Sequence, residues 1–255
     1  MVGCAPRPAT TPVQVVEITA GDFFFRAPDT VHAGWTEFRL TNAGGRHVMA
    51  VARLDSGRTL ADVLAVPDTA SASPAWMVDL GGPVTGDSNG IAIAALELTP
   101  GRYVLYCYFG GDDHIPHYAK GMVKEFLVTG PAVADAAAPE PGIVVTVTDY
   151  DFQLSRPLTP GRHTLRFVNT STQGHEIIMT LLPAGMHQDD WMKARAAKAP
   201  RPGRNFGGIG GLPQHRQIDM TADFPAGDYV WYCVFVGADG RSHLDHGMIK
   251  EVHVE

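Results

Sequence analysis

Apolar and polar residues alternate in short runs along this chain, the period of strands that bury one face. The runs VVEITA, FRLTN, YVLYCYF and VKEFLV in the first half, and IVVTVTD, LRFVN, YVWYCVF and IKEVHV in the second, are rich in Val, Thr, Tyr and Phe and are separated by Gly and Pro turns. The pattern predicts short strands throughout. Two stretches break it: SGRTLADVLAVPDT (56–69) and MHQDDWMKARAAKA (186–199) read as short helices, each followed by a loop that contains a glycine pair, Gly81-Gly82 and Gly207-Gly208.

The order of runs repeats. GRYVLYCYFGGDDHIPHYAKGMVKEFLV (101–128) aligns without a gap to GDYVWYCVFVGADGRSHLDHGMIKEVHV (227–254), with about half the positions identical, as a duplicated domain would. Upstream, GWTEFRLTNAGGRHVMAV (34–51) matches GRHTLRFVNTSTQGHEIIMT (161–180) with one extra residue, and ITAGDFFF (18–25) is set against VTDYDFQL (147–154). Between the copies GPAVADAAAPEPG is poor in large apolar residues and reads as a linker. The expectation is an all-β chain: a flexible tail over 1–12, a Greek-key β-sandwich over 13–129, a linker over 130–142 and a second sandwich over 143–255, each sandwich with a helical insertion and each folding on its own.

Composition narrows the function classes. With 45% apolar and 18% charged residues, the 255-residue chain is globular and large enough for two cores. A formal charge of −7 without a Lys/Arg cluster excludes nucleic acid as a partner. No apolar run approaches the roughly 18 residues of a membrane-spanning helix. Of three cysteines, Cys4 stands in MVGCAPRPATTP, which resembles the end of a bacterial lipoprotein signal; the other reading is a cysteine in a disordered tail. On the first reading the membrane is met only through a lipid anchor at Cys4, and the chain is periplasmic or extracellular.

The other two cysteines sit in YCYFGGDDHIPHYAKGM and YCVFVGADGRSHLDHGM, where Cys, His and Met keep one register while the loop between them changes. A lone cysteine at a strand end is more often a small hydrophobe than a ligand, and a lone loop histidine is usually solvated. Their joint repetition favours a metal role. With the upstream histidine of each copy the sets are His47, Cys107, His117 and Met122, and His175, Cys233, His243 and Met248. A thiolate, two imidazoles and a weak thioether make the donor set of a blue copper site, so copper is the expected cofactor. His114 and His246 are alternative ligands read as solvated loop residues. Met49 and Met179 read as core, Asp112, Asp113, Asp189 and Asp190 as surface, and Tyr106, Tyr108, Trp231 and Tyr232 as packing or as an electron path.

In this order of parts the chain resembles the cupredoxin family: an upstream His after a strand and an Asn (TNAGGRH, VNTSTQGH), a strand ending in Cys, then His-x4-Met and a last strand. It departs from the family in two ways. Nine residues separate Cys from the second His where members have fewer, a loop that either brings the His back to the metal or leaves a looser, more exposed site; and Val48 and Glu176 follow the first His where Asn is common. The resemblance implies an electron-transfer protein of the cell envelope with one type 1-like copper site per domain, working with a redox partner protein or a copper donor or acceptor. Copper storage or delivery, and a metal-free scaffolding lipoprotein, are the alternatives. Tandem cupredoxin oxidases and nitrite reductases need His-x-His pairs and a His beside the Cys; this chain has neither, so the expectation is no enzyme. Glu176, beside His175, is expected to lower the potential of the second site.

Overall fold

The alternating runs form strands. In the computed structural model, which describes residues 13–66, 73–86, 90–111, 113–131, 138 and 140–255, the first copy contains β1 (Gln14–Gly21), β2 (Phe24–Arg26), β3 (Thr30–His32), β4 (Gly34–Asn42), β5 (Ala50–Leu54), α1 (Leu60–Leu64), β6 (Met77–Val84), β7 (Ile91–Leu98), β8 (Gly101–Tyr106) and β9 (Val123–Thr129). The second contains β10 (Ile143–Val147), β11 (Phe152–Leu154), β12 (Gly161–Asn169), β13 (His175–Leu181), α2 (Gln188–Ala196), β14 (Arg204–Leu212), β15 (Gln217–Phe224), β16 (Gly227–Tyr232) and β17 (Ile249–Val254). Cys4 with its tail, Asp112 and most of the linker lie outside the described residues.

Each helix starts where a carboxylate can close its first turn. Asp62 accepts from the Thr59 N–H at 2.8 Å, and Asp190 from that of His187 at 3.1 Å, which satisfies a donor that the helix leaves free. Trp191 anchors α2: it is buried and its ring lies 4.7 Å from that of Tyr232.

The strands make two sheets, β11-β10-β12-β15-β7-β4-β1-β2 and β17-β16-β13-β14-β6-β5-β8-β9-β3. Each copy gives one block of strands to each sheet, and the chain crosses between sheets repeatedly. Phe38, Leu40 and Leu98 fill the first sandwich, and Phe152, Phe167 and Trp231 the second, all buried; each such side chain contributes roughly 1.5–3 kcal/mol through the water it sheds. Tyr103 and Tyr229 pin equivalent corners by donating to the carbonyls of Thr99 and Pro225.

The copies meet along two strand edges. β7 pairs antiparallel with β15 (Ala94 opposite Met220) and β6 with β14 (Gly82 opposite Gly210). In both cases a strand pairs with its own counterpart, as a two-fold relation requires. The expectation of independent folding rested on the linker, but the sheets run from one copy into the other away from it, and edges that would otherwise be open are covered.

The glycine pairs are a correction. They are not loops: Gly81-Gly82 lie in β6 and Gly207-Gly208 in β14. A Cβ on Gly82 would collide with the carbonyl oxygen of Met49, and one on Gly208 with that of Ile177. Turn propensity suggested a loop, but close approach of two backbones selects the same residue.

Candidate metal centres

In each copy an asparagine shapes the loop that presents the upstream histidine. Asn42 donates to the carbonyl of Gly45 at 2.8 Å, and Asn169 to that of Gln173 at 2.7 Å, closing the turn before His47 and before His175. His47 is held further by Thr85, whose hydroxyl accepts from the His47 N–H and donates to its carbonyl, both at 3.1 Å.

Cys107 follows β8 and Cys233 follows β16. The His117 N–H donates to the carbonyl of Phe109 at 2.9 Å, and that of His243 to Phe235 at 2.8 Å. Each bond pinches the long loop shut two residues after the cysteine. Of the two alternatives for the long loop, the structure has the one that brings the histidine back: His117 and His243 are buried. Met122 accepts from the Cys107 N–H and donates to the carbonyl of His117, and Met248 does the same with Cys233 and His243, so both methionines are fixed between the other two residues and fully buried.

The donor atoms of His47, Cys107 and His117 lie within 4.8 Å of one another, and so do those of His175, Cys233 and His243. In the first cluster the Cys107 Sγ is 3.6 Å from His117 Nδ1, while His47 turns its Nε2 to the carbonyl of Gly44 at 2.6 Å. Its Nδ1 is buried without a hydrogen-bond partner among the described residues. In the second, Cys233 Sγ lies 3.8 Å from His175 Nδ1 and 3.5 Å from His243 Nδ1, and the two Nδ1 atoms are 3.0 Å apart. Ser171 and Gln173 hold the outer nitrogens of His175 and His243 at 2.8 and 3.2 Å.

This arrangement fits a metal ion. A buried ring nitrogen without a partner is costly unless something accepts its lone pair. Inner nitrogens that converge on a thiol, with outer nitrogens oriented by protein groups, are what metal-binding histidines show. Burial lowers the pKa of all four imidazoles, that of His175 to about 4 with repulsion from His243 added, so they are neutral and able to ligate at neutral pH. Burial pushes the thiols up instead, Cys107 to about 11 and Cys233 to about 12. The backbone N–H of Val48 points at Cys107 Sγ (3.4 Å) and that of Glu176 at Cys233 Sγ (3.2 Å). What this position supplies to the sulfur is its backbone, so its side chain differs between the copies, Val48 and Glu176, without loss of that bond.

Two residues of this surroundings escape a reading of the sequence. Ala20 pairs with Asn42 and Val147 with Asn169, so Asp22 corresponds to Asp149 and Phe23 to Tyr150, two residues away from the register expected above. Phe23 stands edge-on to His117 (centroids 5.0 Å apart, 86°) and Tyr150 edge-on to His243 (5.5 Å, 89°). Matching TAGDFFF to TVTDYDF would have revealed the pair.

The remaining candidates fall outside the clusters. His114 is exposed, and His246 pairs with Asp239 at 2.8 Å. Met49 and Met179 are core, Asp113 binds Lys120, and Asp190 caps α2 while Asp189 is exposed. Tyr106 donates to Asp79 at 2.6 Å, and the Tyr108 hydroxyl reaches across to Glu176 of the other copy.

Two joined β-sandwiches, each with a buried Cys-His-His cluster between an upstream loop and the loop after the Cys strand, define a tandem cupredoxin-like protein. The chain matches no protein-family model and no curated protein. Among solved structures it is similar to auracyanin B (19% identity over 47% of this chain and 93% of that one, TM-score 0.31) and to auracyanin A, a "blue" copper protein of Chloroflexus aurantiacus (18%, 46% and 100%, TM-score 0.32). It is also similar to a multicopper oxidase (11%, 98% and 93%, TM-score 0.26).

Proposed function

We propose that the chain is a copper-binding electron-transfer protein of the cell envelope, with one type 1-like site in each copy. The observation that carries this reading is the same buried set in both: one thiol sulfur and two imidazoles whose donor atoms converge, with a buried methionine bonded through its backbone to the cysteine and the loop histidine. His47, Cys107 and His117 would hold the ion in the first site with Met122 as the weak donor, and His175, Cys233, His243 and Met248 in the second. Copper held this way supplies a one-electron couple, since thiolate and thioether suit Cu(I) and imidazole suits both states.

The chain's own part is to keep its donors still. His47, His175 and His243 are fixed by backbone or side-chain bonds at their outer nitrogens, His117 by its backbone bond to Phe109, the cysteines by backbone bonds to the methionines, and the loops by their pinch at Phe109 and Phe235. A donor set that does not move between oxidation states keeps the reorganisation cost of electron exchange low. Phe23 and Tyr150 cover the loop histidines and limit water there. No oxidase or reductase activity is proposed: the chain has no His-x-His, and the residues beside its cysteines are Tyr106, Tyr108, Tyr232 and Val234. A redox protein is the proposed partner, and Cys4 the proposed point of lipid attachment.

Adding Cu(II) to the metal-free protein tests this. An intense thiolate charge-transfer band is expected; tight, colourless Cu(I) binding without it would indicate storage or delivery, and no binding a scaffold.

A further inference from the structure

The two clusters are connected by more than the sheets. Tyr108 follows Cys107 in the chain, and its hydroxyl crosses the joint between copies to donate to the carboxylate of Glu176, which follows His175. Glu176 also gives its backbone N–H to Cys233 Sγ. From one thiol to the other the route is therefore covalent except for two hydrogen bonds. Gly210 makes room for it, because a Cβ there would overlap the Tyr108 hydroxyl.

The two-fold relation between the copies shows that packing alone does not call for this contact. The counterpart of Tyr108 is Val234 and that of Glu176 is Val48, so the equivalent positions carry two valines and no polar contact can form between their side chains. A buried carboxylate costs free energy that a valine does not, even when it is hydrogen-bonded. Glu176 is 6% exposed. The costlier pair occurs on the one side where it links the residues next to a cysteine ligand and a histidine ligand. The Glu176 side chain is directed to the other copy while its charge still acts on the Cys233 thiol of its own site, so a link between sites stands beside the tuning expected from the sequence.

We propose that the Tyr108–Glu176 hydrogen bond is the path by which the two centres exchange electrons. This rests on the reading of both clusters as copper sites. One electron leaves the reduced centre and arrives at the oxidised one; Tyr108 and Glu176 lose neither electron nor proton and serve only as a bonded medium. Electronic coupling falls less steeply through bonds than through gaps, so a single hydrogen bond across the joint favours this route over the space around it.

The test uses the full chain loaded with copper, reduced by a fast pulse of a one-electron reductant, with relaxation between the sites followed optically. Tyr108→Phe should slow the exchange severalfold while copper content and the bands of both sites stay as in the parent. Glu176→Gln, which keeps an acceptor for the hydroxyl, should retain most of the rate. The double variant Tyr108→Val/Glu176→Val reproduces the two valines of the equivalent positions and should be slow even if Tyr108→Phe alone proves unstable. Unchanged exchange in Tyr108→Phe or in the double variant would overturn the path and leave the copper sites standing. A parent that takes up no copper would overturn both, and copper analysis separates the two failures.

Discussion

The two centres have the same donors but different support. The first holds His47 by a backbone carbonyl, that of Gly44, and leaves its inner nitrogen without a partner among the described residues. The second uses side chains, Ser171 and Gln173, and brings its two inner nitrogens to 3.0 Å. Beside the upstream histidine the first has Val48 and the second a buried Glu176 tied to the first copy. The donors and the bonds that aim them are common to both, whereas the outer supports and the joint are where the copies diverge. A duplicated site can therefore keep its chemistry while its two versions acquire different affinities and a connection.

Where the copies are alike, the same substitution should cost nearly the same. Gly82→Ala and Gly208→Ala each drive a Cβ into a facing carbonyl, and each should destabilise the metal-free protein by about 3 kcal/mol, with Gly208→Ala somewhat the costlier because its φ of 145° is one that alanine rarely adopts. Denaturant unfolding checks this; if one is tolerated and the other is not, the two-fold relation at β6 and β14 is wrong in detail.

Where they differ, the response should be one-sided. Ser171→Ala removes the bond that orients His175 and should weaken copper at the second site by about tenfold or more, with the first unaffected because its support is backbone. Competition titrations of the single-site proteins measure it, and an equal loss at both sites would dissolve the contrast.

The smallest contrast lies in the thiols. Both are protonated at neutral pH, since their pKa values lie at about 11 and about 12, so each ion bound displaces one proton. Affinity should rise about tenfold per pH unit between pH 7 and 9 at both sites, and the neutral imidazoles add no slope there. The contrast is in the cause: burial raises both thiols, and the charge of Glu176 adds to burial at Cys233 alone. Calorimetry in buffers of different ionisation enthalpy counts the protons; none released would mean the thiols are not the donors.

The strands and the Cys-His-Met register were legible because each leaves a periodic or repeated mark: alternation for the sheets, and a fixed spacing that survives while loop residues change. The helices were legible as the two stretches, SGRTLADVLAVPDT and MHQDDWMKARAAKA, that break the strand alternation. The joint was not, because a glycine required by a close backbone approach looks the same in sequence as one required by a turn. Phe23 and Tyr150 were hidden by a two-residue slip between strands too short to fix their own register. Tyr108 was legible as a neighbour of the cysteine, but its partner is 68 residues away, and only the meeting of the copies brings Glu176 to it.

The central claim is one copper ion in each copy, held through its cysteine. Metal analysis and the charge-transfer spectrum of Cys107→Ser and Cys233→Ser, beside the parent chain, test it most directly. The parent should bind two equivalents, and each variant should lose one together with its share of the band while the other site stays loaded. A parent that binds a single ion, or a variant that keeps its stoichiometry, would contradict the assignment of that copy's cluster as a copper centre.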